Sequence, residues 1–156
     1  MMAIWISGGR FRERAQARSR YLAAAGASPS FDNDLTGDGG LVKKGAGSLT
    51  LKGDNDYTGD TDILAGTLYV DGSLTGSAIN LSSGAFLGGH GTLTLTDGLT
   101  IGSGATLAPG HSPTTMTVNA TVTQSGGSNL QVDLAGHRYN SMLAVTGVGN
   151  QYILSA

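Results

Sequence analysis

Glycine followed by small and apolar residues returns along this chain at a nearly fixed interval. The four sites are Gly47-Ser48-Leu49, Gly66-Thr67-Leu68, Gly84-Ala85-Phe86-Leu87 and Gly104-Ala105-Thr106-Leu107, which begin 19, 18 and 20 residues apart. A period near 20 residues is typical of a solenoid, in which each unit buries its apolar face only by lying against its neighbours. The repeat therefore predicts an elongated rod built of similar turns.

The composition agrees with a chain that turns often. Glycine supplies 26 of the 156 residues, whereas only three are proline, so neither a collagen pattern nor proline-rich disorder fits. Glycine enters conformations with positive φ without steric cost, which suits tight corners. The absence of cysteine excludes disulfides, a thiolate nucleophile and zinc-thiolate sites.

The first 38 residues lie outside the repeat and differ from it in charge. They hold five of the nine basic residues, whereas ten of the eleven acidic residues follow position 30. Phe11 to Ala25 is rich in helix formers, so we expect residues 1–38 to be a basic helical or disordered tail with a linker. The apolar stretch Ile4-Trp5-Ile6 is too short for an export signal or a membrane span. The arginines, with Glu13 among them, predict a solvated tail that does not bind nucleic acid.

Residues 39–156 read as short strands separated by Gly, Asn, Asp and Ser. Alternation of apolar with polar residues predicts half-buried strands, and about three strands fit each repeat, which favours a parallel β-helix over a meander of hairpins. We expect an all-β, right-handed parallel β-helix of about five coils, with a loop or bulge near Gln124 to Ser128. The residues expected to point inward are Leu49, Leu51, Ile63, Leu68, Val70, Ile79, Leu81, Leu87, Leu93, Leu95, Leu99, Ile101, Leu107, Met116, Val118, Leu130, Val132, Leu134, Leu143 and Val145.

Three adjoining segments carry a family resemblance: LVKKGAGSLTL at 41–51, GDNDYTGDT at 53–61 and AGTL at 65–68. Together they resemble the autotransporter-associated β-strand repeat of type V secretion passengers, which form a pertactin-like β-helix. Downstream, GAFLGGHGTL at 84–93, GATLAPGHSP at 104–113 and YNSMLAVTG at 139–147 are similar to the coils that usually follow. The departures are His90 and His111 where Asn is common, Thr114 where Gly is common, and Asn140-Ser141 where Asp is usual.

The resemblance implies a structural stalk that displays an adhesin or virulence factor. The intact protein would be located at the bacterial surface or secreted into the medium. The stalk would also assist passenger folding during secretion. The resemblance implies one partner, the translocator barrel of the intact protein at the outer membrane, and a cleavable export signal. Neither of these is visible in the sequence, so we expect the chain to correspond to a stretch of a passenger. A host-surface protein or a glycan would be a further partner.

Candidate chemistry is weak at each place where the sequence suggests it. The segment from Gly110 to Thr114 resembles a nucleophile elbow but lacks its second glycine, and proline follows the serine. His90, His111 and His137 lack acidic or cysteine partners at metal-ligand spacing, so we expect exposed corner histidines. We therefore predict no catalytic, cofactor-binding or metal-binding residues, and no cofactor.

Two acidic stretches, 32–38 and 54–62, begin like EF-hand loops but lack the glutamate at loop position 12, and Gly88-Gly89-His90-Gly91 lacks the Asp of a calcium-binding roll. Turn formation is the favoured interpretation, with weak surface calcium binding as the alternative.

Two other functions stay open at this point. A glycan- or host-protein-binding adhesin module would use Tyr57, Tyr69 and Tyr139, taken as exposed, together with rows of threonines. A carbohydrate-active enzyme would gather carboxylates in one groove; Asp60, Asp62, Asp71 and Asp97 are the candidates, with Lys52 as the nearest base. Since no arginine lies between Ser28 and Gly136, we do not expect an enzyme.

Overall fold

The computed structural model describes residues 4–5, 21–23, 28, 30–109, 115–131 and 142–145, the first two segments and the last by their backbone alone. All of its regular structure is β, and none of its described segments is a helix that could cross a membrane. The strands are β1 (Ile4–Trp5), β2 (Tyr21–Ala23), β3 (Ser30–Phe31), β4 (Leu41–Lys43), β5 (Ser48–Leu51), β6 (Asp54–Asn55), β7 (Thr61–Ile63), β8 (Thr67–Val70), β9 (Ser73–Leu81), β10 (Phe86–Gly89), β11 (Thr92–Ile101), β12 (Thr106–Pro109), β13 (Thr115–Asn119), β14 (Val122–Gln124), β15 (Asn129–Leu130) and β16 (Met142–Val145).

The strands stack in three columns, and the pairs between them are parallel. One column holds β3, β5, β8, β10, β12 and β15 as a six-stranded sheet. The other two columns are joined in a ten-stranded sheet, because β9 and β11 each run through both of them. In the first, β6 and β13 flank the leading halves of β9 and β11; in the second, β7 and β14 flank the trailing halves.

This arrangement confirms the predicted fold: a parallel β-solenoid of about five turns with three strands per turn. In-register pairs recur one coil apart, such as Leu49 with Leu68, and Leu68 with Leu87. The register between β9 and β11 shifts by one residue between Leu95 and Gly98, so a β-bulge marks the bend of the longest strand.

The N-terminal segment departs from expectation where it is described. Tyr21–Ala23, the end of the stretch predicted as a helix, is instead strand β2 and pairs with β4, so the helix prediction is wrong at these residues. Parallel pairing with Leu41–Lys43 satisfies their backbone groups, and tertiary pairing of this kind overrides helix propensity. Strands β1, β2 and β3 precede residue 39, while the division of the chain at 38/39 stays a prediction.

The core is a continuous tube of inward aliphatic side chains. Every predicted inward residue from Leu49 to Val118 is buried, and Leu130 is partly buried against them. Val132 and Leu134 lie outside the described residues, and only the backbone of Leu143 and Val145 is described. The prediction missed several buried residues: Leu35, Leu41, Lys43, Asn55, Tyr57, Thr61, Leu74, Ala85, Ala105 and Ala120.

One corner of each coil turns on a glycine with positive φ. This corner leads into the six-stranded sheet and is marked by Gly45, Gly66, Gly84, Gly104 and Gly127, with φ between 71° and 82°. Gly127 occupies the position where a loop was expected near Gln124 to Ser128, and a turn closes there with a 3.0 Å bond from Ser128 N to Ser125 O. Residues 124–128, where the repeat spacing changes, therefore form the next corner in the series of positive-φ glycines.

At a second corner, glycine is required because the backbones of adjacent coils approach each other closely, and not because of its dihedral angles. Gly53, Gly72 and Gly91 stack on successive coils, 19 residues apart. A Cβ on Gly72 would lie 2.3 Å from the carbonyl oxygen of Gly53, and one on Gly91 would lie 2.0 Å from that of Gly72. Because both contacts are with backbone, a side chain could fit only if the coils moved apart.

We expect Gly72→Ala to destabilise the solenoid by roughly 2 kcal/mol or more, because the new methyl group would force adjacent coils apart. Gly126→Ala is the matched control, since nothing lies within 4 Å of its Cβ position and its φ is not positive. Urea unfolding followed by circular dichroism measures both variants. Equal stability of the two variants would contradict the close approach.

Candidate functional site

Polar side chains enter the core in the stretch from Lys43 to Thr61. Lys43, Asn55 and Thr61 have 0%, 1% and 0% of their surface exposed, and Tyr57 has 3%. Buried polar groups are stable only when they are hydrogen-bonded, so the partners of these four side chains define their role. We call these four residues the polar cluster.

Lys43 extends along the interior to the corner that follows β4. Its Nζ donates to the carbonyl oxygens of Lys44 at 3.1 Å, Gly45 at 2.8 Å and Ala65 at 3.1 Å, the last on the next coil. Burial lowers the pKa of Lys43, whereas carbonyls that accept hydrogen bonds from the ammonium favour its charged form. Three acceptors match the three donors of an ammonium group.

Asn55 joins three coils through its side-chain amide. Its Oδ1 accepts from Leu35 N at 3.1 Å on the preceding coil. Its Nδ2 donates to Gly53 O at 2.9 Å on its own coil and to Ser73 O at 3.0 Å on the next. The stretch that resembled a calcium loop therefore points its asparagine into the core, where its donors and acceptor already have partners.

Tyr57 is buried and its hydroxyl shares a hydrogen bond with Thr61. The prediction that Tyr57 is exposed and available to a ligand is wrong. Burial raises the pKa of Tyr57, and the hydrogen bond to Thr61 opposes that shift in part. The alternation of inward residues that begins at Leu49 simply continues through Gly53 and Asn55 to Tyr57.

Outside the core, side chains also bind from coil to coil. Asp34 Oδ1 accepts from Asp54 N at 2.7 Å, and Asp54 Oδ1 accepts from Ser73 Oγ at 2.9 Å. Asn80 Nδ2 donates to Asp62 Oδ1 at 3.0 Å. Within residues 30–109 and 115–131, no three His, Asp or Glu side chains are grouped as ligands for a metal.

The acidic candidates from the sequence are distributed along β7, β8 and β11 or directly beside them, and Lys52 follows β5. Asp62 is within β7 and Asp97 lies at the bulge of β11, while exposed Asp60 precedes β7. Asp71 follows β8, where its Oδ1 is 3.1 Å from His90 Nδ1 on the next coil. Lys52 pairs with Asp32 at 3.4 Å, and both side chains are largely exposed.

The other candidates from the sequence include residues outside the described part of the chain and residues at its surface. The elbow-like segment 110–114, His111, His137 and Tyr139 lie outside the described residues. His90 is exposed at its corner, as the sequence predicted. Tyr69 is half-buried and packs edge-on against Phe86, with ring centroids 6.5 Å apart.

Comparisons with known proteins agree with this geometry. Residues 41–70 match the family model described as the passenger-associated-transport-repeat. The chain is 36% identical over 115 residues to an extracellular serine protease of Serratia marcescens, 74% of this chain and 11% of that protein. It is 36% identical over 86 residues to the adhesin BmaC autotransporter of Brucella suis, 54% of this chain and 2% of that protein. These coils are an autotransporter passenger repeat region.

A third relative matches a shorter stretch of the chain at higher identity. The autotransporter lipoprotein NalP of Neisseria meningitidis is 52% identical over 44 residues, 28% of this chain and 4% of that protein. The chain thus spans about a tenth or less of the length of these relatives.

The passenger repeat and the polar cluster coincide. All four residues of the cluster, and the glycine at position 66, lie within the matched residues 41–70. These residues carry the family resemblance in the sequence, but the sequence analysis did not predict that the four polar residues are buried. The period of two supplied the missing signal, since Lys43 follows Leu41 and Tyr57 follows Asn55 on the inward side.

We expect Asn55→Ala to cost roughly 2–4 kcal/mol of unfolding free energy, because it leaves Leu35 N, Gly53 O and Ser73 O without their amide partner in or near the core. Asn80→Ala is the control, since it removes one side-chain bond near the surface and should cost less than about 1 kcal/mol. Denaturant unfolding of both variants checks the difference. A cost for Asn55→Ala no larger than that for Asn80→Ala would show that the amide does not join the coils.

Proposed function

We propose that this passenger repeat region is a structural stalk, which displays an adhesin or virulence region of a larger protein at the bacterial cell surface. One observation carries the proposal. The polar cluster makes its hydrogen bonds with groups of its own coil and of the neighbouring coils. These bonds hold neighbouring coils together, and all four side chains are buried away from the surface. About five coils at about 4.8 Å each give a rod of roughly 25 Å.

Assistance to folding during secretion is the second part of the proposal. In a solenoid each coil is stabilised mainly by its neighbours, so a folded coil presents a template for the next. Asn55 and Lys43 add directional bonds to that template, because both bind backbone groups of an adjacent coil. The name of the matched family, passenger-associated-transport-repeat, supports a link between such coils and transport.

The partner in the proposal is the translocator of the intact autotransporter. Similarity to the BmaC and NalP autotransporters supports this inference, and it supports location at the cell surface, at the outer membrane or in the medium. We do not assign a catalytic role to these coils. The relatives named as proteases match here through a small part of their length.

Binding to glycans or a host protein is a second candidate function. The outer face of β9 and β11 carries rows of hydroxyl groups, with Thr75 beside Thr94 and Ser73 beside Thr92. On another face, Tyr69 and Phe86 form a half-buried aromatic pair. The relative named as an adhesin favours this candidate as well.

Removal of one coil separates the two candidates. Deleting residues 73–91 joins Gly72 to Thr92, which occupies the position of Ser73 one coil later, so register is kept. Parent and deletion chains replace equivalent coils of a carrier autotransporter on Gram-negative cells. For a stalk we expect equal surface display by flow cytometry, and adhesion to host cells no higher than that of the carrier.

Adhesion that depends on the parent coils would contradict the stalk. Tyr69→Ala and Phe86→Ala would then locate the binding surface, since the deletion removes Phe86 and the hydroxyl groups of Ser73 and Thr75 on β9. Unequal display of parent and deletion chains would instead show that this coil is needed for folding or secretion.

A further inference from the structure

The corner between β4 and β5 gathers main-chain carbonyl oxygens around one point. Lys44, Gly45 and Ala65 place their oxygens 2.8–3.1 Å from the Nζ of Lys43. Gly66 closes the same space from the next coil, and a Cβ there would lie 2.7 Å from that Nζ. The oxygens of two turns therefore face a position that holds a positive charge.

Within the described residues, no carboxylate forms an ion pair with the charge at this position. The two ion pairs of the described residues, Lys52 with Asp32 and His90 with Asp71, lie elsewhere. Carbonyl dipoles alone hold monovalent cations in other proteins, by replacing the hydration shell of the ion. The fully buried ammonium of Lys43 is in the same situation, because carbonyl oxygens replace its water.

Later coils build the same corner without a cation. The residues in register with Lys43 are Ile63, then Leu81, then Ile101, and each is buried and aliphatic. The glycine with positive φ is present in these coils at positions 66, 84 and 104. A lysine is therefore not needed to make the turn, and its presence calls for a separate explanation.

We propose that this corner, the carbonyl cage of Lys44, Gly45 and Ala65, is a site for a monovalent alkylammonium-type cation, and that the chain occupies it with its own Lys43. The stem of Lys43 fills the tube as Ile63 does, and the ammonium bridges one coil to the next through Ala65. The inference concerns this cage alone and does not depend on the stalk proposal.

Chemical rescue tests the cage in the full chain. Lys43→Ala removes a propylammonium group, so n-propylammonium chloride supplies the missing atoms. We expect it to raise the Tm of this variant by at least about 3 °C. Equal concentrations of tetramethylammonium chloride, which is too large for the cage, and of 1-propanol, which has no charge, should raise the Tm less. Ile63→Ala is the matched control, because it opens the tube at the equivalent inward position without the cation.

The response of Lys43→Ala to n-propylammonium decides between the possible outcomes. A selective response of Lys43→Ala to n-propylammonium, absent from Ile63→Ala and the unchanged chain, supports the site. No response, or an equal response to 1-propanol, overturns it. If Lys43→Ala does not fold, Lys43→Met gives the answer by its urea midpoint. A midpoint below that of the unchanged chain supports the need for the cation, and a midpoint equal or higher overturns it.

Discussion

Parallel stacking of one coil on the next, at the spacing of paired strands, is the constraint on which the rest of this structure depends. Neighbouring strands lie about 4.8 Å apart, so every corner must repeat within that distance. The glycines follow from this requirement. Gly72 has no room for a methyl group against Gly53, and Gly66 turns at a φ of 71° where the coil enters the next strand. The tube of aliphatic residues also follows from stacking, because most inward aliphatic side chains pack against aliphatic side chains in register on the next coil.

Aliphatic stacking is strong but carries little direction. Burying one leucine contributes roughly 1.5–3 kcal/mol, and a neighbouring coil with a similar residue in register gives a similar contact. The buried hydrogen bonds of Asn55 and Lys43 differ because they fail when donor and acceptor separate by more than a fraction of an ångström. Each contributes about 1–3 kcal/mol once the alternative is a buried unpaired group. The polar cluster therefore adds hydrogen bonds of fixed geometry to the buried surface, and these bonds fix how adjacent coils sit on one another.

The fold was predictable because its determinants are local and repeated. The glycine period indicated coils, and alternation gave most of the inward aliphatic residues from Leu49 to Val118, although it missed Leu74. The polar cluster was harder to predict, since Asn55 in an Asp- and Gly-rich stretch also has the chemistry of a turn. Only the period of two, carried on from Leu49 and Leu51, places Asn55 and Tyr57 inside. Tyr21–Ala23 shows the opposite failure, because a segment of good helix formers pairs with β4 as a strand.

A stack of this kind limits where a binding site could arise. Inward side chains are enclosed by the next coil, so chemistry directed at a ligand must use outward positions or corners. The outward positions here carry threonine, serine and asparagine, and their bonds run between coils, as Asn80 to Asp62 does. Because stability in a solenoid is approximately a sum over coils and their interfaces, a segment can be lengthened or shortened without loss of its neighbours. These properties are the physical basis of the proposed stalk role.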